Sequence, residues 1–188
     1  MSRNDSIAKC VHIILTLFFL SPLFLSANEL WKEPGRVLLL RHALAPGMGD
    51  PSNFSLGDCS TQRNLSDAGR QQAREIGDAL RVQGVESAKV YTSQWCRCVE
   101  TAELLGFGKV TELPALNSFF QRREDREPNL QALREFLAKQ VKSEELVILV
   151  THQVTITAMT DVFPASGAGV LLQLDEDGAY SIFKEMIW

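Results

Sequence analysis

Histidine is scarce in this chain, with three in 188 residues, and cysteine is nearly as rare, with four. There is no block of lysine and arginine, no Cys/His cluster at zinc spacing and no basic strand carrying aromatics. Nothing therefore argues for a nucleic-acid partner. Internal repeats and low-complexity segments are also missing, so the chain reads as an ordinary globular domain rather than a solenoid or a disordered tail. The formal net charge is only −4.

The one long apolar run lies at the start. Arg3 and Lys9 make a weakly basic lead, Val11 to Leu25 is almost wholly apolar, and Ser26-Ala27 supplies small residues. This is the layout of a secretory signal, expected over residues 1–27. Its apolar core of about 15 residues is short for a bilayer span of roughly 20. Leu25, three residues before a cut after Ala27, is not small, so an uncleaved anchor stands as the alternative. Either way the remainder is expected outside the cytosol, periplasmic or secreted, with membrane contact only if the segment is retained. Residues 28–188, about 160 in all, fit one domain. Loss of Arg3, Asp5 and Lys9 would leave its charge at about −5.

Cys10 goes with the signal. Cys59, Cys96 and Cys98 remain, enough for one internal disulfide and one odd thiol in an exported protein. Cys96-Arg97-Cys98 is one residue short of the CxxC redox spacing, and a structural zinc site usually needs four ligands. A disulfide from Cys59 to Cys96 or Cys98 and a set of small buried thiols both fit.

Pro34-Gly35 leads into Val37-Leu38-Leu39-Leu40, a short continuous apolar run that predicts a strand buried on both faces. Ser66 caps a helix in which Ala73, Ile76 and Leu80 recur at helical spacing and Gly84 ends the run. Val85 to Tyr91 reads as a strand. Trp95 to Leu105 reads as a helix with Val99, Ala102 and Leu105 inward and Gly106 as its stop. Lys109 to Leu113 is a short strand, and Gln121 to Glu127 a solvated loop. Pro128 opens a helix with Leu130, Leu133 and Leu137 on one face. Leu146 to Val150 is a strand, with a helix after it through Met159. Gly169 to Leu174 and Tyr180 to Glu185 are strands around a turn at Gly178. Strands alternating with helices predict an α/β fold: three layers, α/β/α, with a mostly parallel central sheet. The only long loop, Ala43 to Asn64, follows the first strand.

Polar residues that are costly at buried strand ends gather at three of them: Arg41-His42, Thr92-Ser93 with Arg97 in the next helical turn, and Thr151-His152. In open α/β sheets ligands bind at the C-terminal ends of strands. A parallel sheet would bring two histidines, two arginines and two helix N-termini to one edge, an electropositive pocket. Arginine forks and helix-end N–H groups are what stabilise a phosphoryl group in transfer. Singly, each of these residues is more often structural; their joint placement carries the reading.

The same residues resemble the histidine phosphatase superfamily, the phosphoglycerate mutase-like fold. Leu39-Leu40-Arg41-His42 is similar to its first-strand Arg-His-Gly signature. Asn64-Leu65-Ser66-Asp67-Ala68-Gly69-Arg70-Gln71-Gln72-Ala73 resembles its Leu-Thr-x-x-Gly-x-x-Gln-Ala helix start. Ser93 to Ala102 resembles its Ser-x-x-x-Arg-x-x-x-Thr-Ala segment, and Val150-Thr151-His152 its second-histidine strand end. The resemblance implies His42 as the nucleophile of a phosphohistidine intermediate. It implies Arg41, Arg97 and His152 as the groups holding the phosphoryl, with Thr151, Ser118 and Asn64 as candidate substrate-binding residues. No metal or other cofactor is implied, because arginines and a protonated histidine supply the charge.

Three departures stand out. Ala43 replaces the usual glycine. Gln153 follows the second histidine, where one branch has an acidic residue. Ser118 stands where another branch has a glutamate, and a hydroxyl is too weak an acid to protonate a leaving alkoxide near pH 7. Asp50, Asp58, Glu124 and Asp125 lie in loops from which a carboxyl could serve as general acid; otherwise the leaving group must need little help. The expected function is an exported phosphohydrolase acting on a small phosphorylated envelope compound, such as a lipopolysaccharide core sugar phosphate. The rivals are a non-catalytic phosphate- or phosphosugar-binding module on the same fold and an envelope redox protein using Cys96 and Cys98.

Overall fold

A computed structural model describes residues 30–188. The expected signal segment and its cut lie outside the described residues. The strands are β1 (Arg36–Arg41), β2 (Ala88–Thr92), β3 (Val110–Glu112), β4 (Leu146–Thr151), β5 (Gly169–Leu174) and β6 (Tyr180–Met186). The helices are α1 (Asp67–Val82), α2 (Cys96–Leu104), α3 (Arg126–Ala138) and α4 (Gln153–Thr160). They form one six-stranded sheet in the order β3-β2-β4-β1-β5-β6. β3, β2, β4 and β1 run parallel, and β5 and β6 add antiparallel at one side.

Alternation along the central strands makes the layers. Leu38, Leu40, Ile148 and Val150 join Ile76, Leu80, Ala102 and Leu105 in the core under α1 and α2. Val37, Leu39, Val147 and Leu149 join Leu130, Leu133, Leu137, Ile156 and Met159 under α3 and α4. Both faces are covered, which is why these strands are apolar without a break.

Element boundaries follow local chemistry. Ser66 caps α1, its Oγ accepting from the Gly69 N–H at 3.1 Å. At the other end Gly84, with φ 93°, donates to the Arg81 carbonyl, and the Val85 N–H returns to the Leu80 carbonyl. This closes α1 in a Schellman motif. Val85 to Ser87 is thus the stop of a helix rather than the start of a strand, and β2 begins at Ala88. α2 turns Cys98, Thr101, Ala102 and Leu105 inward, with Val99 only half-buried. α3 starts two residues before Pro128, which sits in the first turn where a missing N–H breaks no helical bond. Two helical glycines permit close packing: a Cβ on Gly69 would lie 2.1 Å from the Leu44 carbonyl oxygen, and one on Gly77 2.2 Å from that of Leu105.

Candidate active site

The register of the sheet sets three strand ends side by side. Arg41 pairs with Thr151, and Thr92 with Val150. The His42 N–H donates to the Thr151 carbonyl, and the Ser93 N–H to that of Val150, each at 2.9 Å. A cavity of about 110 Å³ opens there, and Arg41, His42, Asp50, Arg63, Arg97, Ser118 and His152 are among its lining.

His42 is held from behind. Its Nδ1 lies 2.8 Å from the Ala43 carbonyl oxygen. A carbonyl can only accept, so Nδ1 carries the proton and Nε2 keeps its lone pair. The following turn is tied to α2: the Ala43 N–H donates to Thr101 Oγ1, whose own hydroxyl donates to the Arg97 carbonyl. Burial pushes the imidazole pKa down to about 3; the Ala43 bond opposes this, and Arg97, Arg41 and Arg63 add to it. His42 is therefore neutral at pH 7, with Nε2 available as a nucleophile.

His152 meets His42 edge to face, ring centroids 5.6 Å apart. Its Nε2 lies 2.8 Å from Ser93 Oγ, whose hydroxyl donates to Asn117 Oδ1 at 3.2 Å. The Trp95 indole packs against it in a T-shaped contact, centroids 5.3 Å apart. Burial holds its pKa well below the usual histidine value, with Arg97, His42, Arg63 and Arg41 acting in the same direction. The protonated histidine expected from the sequence is thus neutral in the pocket as folded. An arriving oxyanion would offset the burial cost and favour its protonation.

Three arginines surround the histidines. Arg41 donates from Nη1 to the Pro164 carbonyl at 2.9 Å. Arg97, 3% exposed in its side chain, forks onto Asp50 through Nη1–Oδ1 at 2.7 Å and Nη2–Oδ2 at 3.1 Å. The Nε–H groups of Arg41 and Arg97 are buried without an acceptor among the described residues. Arg63 was not foreseen in the sequence. It lines the pocket, donating from Nε to the Gly49 carbonyl at 2.8 Å and from Nη1 to that of Ala45. Its signal was weak: an arginine on the return of the long loop, just before the Asn64-Leu65-Ser66 helix start.

The long loop is fastened to α2. Cys59 is disulfide-bonded to Cys96, while the Cys96 N–H donates to Gln62 Oε1 at 3.0 Å. Phe54 stacks on Trp95, centroids 5.0 Å apart. Cys98 stays a buried thiol, pushed up to about 12 chiefly by burial. Cys96 and Cys98 therefore form no dithiol pair, and the redox reading is corrected.

Several other candidates are not brought together. Thr151 is fully buried and donates to the Leu116 carbonyl at 2.6 Å, tying β4 to the 3-10 turn Pro114–Leu116. Asn64 donates to the Cys59 carbonyl at 2.7 Å inside the loop. Neither lines the pocket, whereas Ser118 does. Asp58 caps the 3-10 turn Cys59–Thr61 through Ser60. Asp125 and Glu124 face Arg122. Asp58, Glu124 and Asp125 are absent from the lining, which leaves Asp50 as its one carboxylate among the described residues. Burial pushes the Asp50 pKa up, but hydrogen bonds from Arg97, the Arg63 main chain and Trp95 outweigh that and hold it below the ordinary value. A carboxylate so bound has no proton to give at neutral pH.

A neutral imidazole with a free Nε2 lone pair, a second imidazole and arginine forks meet at the strand ends of an α/β/α sheet, an arrangement suited to receiving a phosphoryl oxyanion. Comparison narrows the class. Residues 37–119 match the sequence model of the histidine phosphatase superfamily (branch 1). The match spans less than half of the chain and makes it similar to this superfamily of phosphatases. Among solved structures it is similar to the protein histidine phosphatase SixA complexed with tungstate, at 21% identity, TM-score 0.57, over 80% of this chain and 96% of that one. It is also similar to the mycobacterial glucosyl-3-phosphoglycerate phosphatase complexed with VO3, at 17% identity and TM-score 0.57, over 78% and 96% of the two chains. The Bacillus stearothermophilus protein YhfR gives 18% identity and TM-score 0.53 over 79% and 95%. At these identities the likeness is one of fold. No curated protein matches the chain in sequence.

Proposed function

We propose that this chain is an exported phosphohydrolase that works through a phosphohistidine at His42 on a small phosphorylated compound of the cell envelope. The Nε2 lone pair of His42 attacks phosphorus, and the bond to the leaving group breaks with its electron pair. Water then attacks the phosphohistidine, and the P–N pair returns to the imidazole. Arg41, Arg63, Arg97 and His152 carry the charge of the transferred group. The observation behind this reading is the His42 tautomer, with Nδ1–H given to the Ala43 carbonyl beside three arginines.

The pocket supports a preference among substrates. Among the described residues Asp50 is its one carboxylate and is occupied by Arg97, so none of them offers a carboxylic acid ready to protonate an alkoxide. This favours phosphoramidates, acyl phosphates and diphosphates, whose leaving groups depart with little help. A lipopolysaccharide core sugar phosphate, the substrate expected from the export signal, is the second reading and requires a proton from elsewhere. Export itself rests on residues 1–27, and mature protein is expected to begin near Asn28.

Brief incubation with acetyl phosphate, followed by alkaline quench and mass spectrometry, should place a phosphoryl group on His42. A protein that binds phosphate but never carries the adduct is a binding module on the same fold, and the proposal fails.

A further inference from the structure

We propose that Asp50 is a positioning residue for phosphoryl transfer, holding Arg97 and Trp95 in place from the long loop rather than acting as the acid. The claim rests on the phosphohydrolase reading above.

The Asp50 side chain is 4% exposed and makes four bonds. Oδ1 accepts from Arg97 Nη1 at 2.7 Å and from the Arg63 N–H at 3.0 Å. Oδ2 accepts from Arg97 Nη2 at 3.1 Å and from Trp95 Nε1 at 3.0 Å. Two bonds on each oxygen fill the carboxylate. The Asp50 main chain is itself clamped: its N–H donates to Gln121 Oε1 at 3.0 Å, and its carbonyl accepts from Gln121 Nε2 at 3.3 Å. Gly49 before it has φ 66°, which glycine adopts without strain, and Arg63 binds the Gly49 carbonyl.

Each partner of Asp50 touches the reacting region. Arg97 lines the phosphate pocket. Trp95 packs its ring against His152. Arg63, whose N–H it takes, lines the pocket too. One loop carboxylate thus orients a guanidinium, an indole and an arginine main chain at once. It also adjusts the charge. Against Arg41, Arg63 and Arg97, one carboxylate and two neutral imidazoles leave two net positive charges. A phosphoryl ester brings a charge of about −1.5 to −2 at pH 7, so the two nearly cancel.

The test compares wild type with Asp50→Asn on an aryl phosphate and an alkyl phosphate, together with calorimetric binding of inorganic phosphate. A misplaced Arg97 should lower kcat by about 10²-fold on both esters alike, since orientation serves every substrate. Phosphate affinity should change less than kcat does, because the negative charge removed from the pocket offsets the misplaced Arg97. Slowing of the alkyl ester alone would make Asp50 the acid and overturn the proposal, as would unchanged kcat on both. Should Asp50→Asn not fold, a crystal structure of wild type with vanadate decides: the Asp50–Arg97 fork must persist, and its displacement by the oxyanion refutes the positioning role. A wild type inactive on both esters and on acetyl phosphate would count against the phosphohydrolase reading, and the vanadate structure would still judge Asp50.

Discussion

The disulfide between Cys59 and Cys96 joins the long loop to the first turn of α2, one residue before Arg97. The bond spans a sequence separation of 37. In the chain-entropy model a loop of that length stabilises the folded state by about 4 kcal/mol. The double variant Cys59→Ser, Cys96→Ser should therefore melt roughly 8–16 °C below wild type. Its kcat should fall as well, because Asp50 reaches Arg97 from the same loop. An unchanged melting temperature by calorimetry would show that the bond does not stabilise the fold.

Acid should destabilise the domain before its carboxylates titrate. His42 and His152 both have folded pKa values below that of the unfolded chain. The unfolded state then binds more protons below about pH 6.5, so stability is present above that pH and lost as pH falls toward the folded values. The slope is at most on the order of 1.4 kcal/mol per pH unit for each histidine. Urea unfolding between pH 7 and 4.5 should show the loss, and His42→Phe should reduce it. A flat profile would mean that the two imidazoles are not buried in their neutral forms.

Arg63→Ala should weaken phosphate binding. The side chain supplies a positive charge to the pocket and bonds to the Gly49 and Ala45 carbonyls. Loss of a charged hydrogen bond costs about 1.5–3 kcal/mol, or roughly 10- to 100-fold in affinity. Competitive inhibition by inorganic phosphate reads this directly. An unchanged inhibition constant would leave Arg63 as a loop brace only.

Gly69→Ala should destabilise the protein although alanine is the better helix former by roughly 1 kcal/mol. The added Cβ would meet the Leu44 carbonyl oxygen at 2.1 Å, and both are main-chain positions with little room to yield. Since Leu44 is two residues after His42, the shift should also lower activity. Thermal melting checks the first effect and a rate assay the second. A variant more stable than wild type would show that the start of the long loop is free to move away from α1.

Much of the scaffold was legible because its signals are local. Val37 to Leu40 and Leu146 to Val150 are apolar without a break, which only a doubly covered strand explains. Ser66, Gly84 and Gly106 punctuate their helices through hydrogen bonding and φ. The Val85 boundary was misread because a buried valine after a helix stop looks like the start of a strand. Only the Schellman bonds tell the two apart.

The site divides in the same way. Arg41, His42, Arg97 and His152 stand at strand ends or in the turn just after one, so periodicity alone places them on a common edge once the sheet is parallel. The sequence by itself therefore determined the α/β layering and the cluster of histidine and arginine. It could not choose among Asp50, Asp58, Glu124 and Asp125, all acidic residues in loops. Nor could it show that Arg63 faces the pocket while Asn64, its neighbour, binds the loop. Those outcomes depend on hydrogen bonds across separations of tens of residues, such as Asp50 to Arg97 and Gln121 to Asp50. A strand or helix repeats its geometry from residue to residue, but a loop takes its shape from distant partners. Which carboxylate meets which guanidinium was therefore decided only when the chain folded.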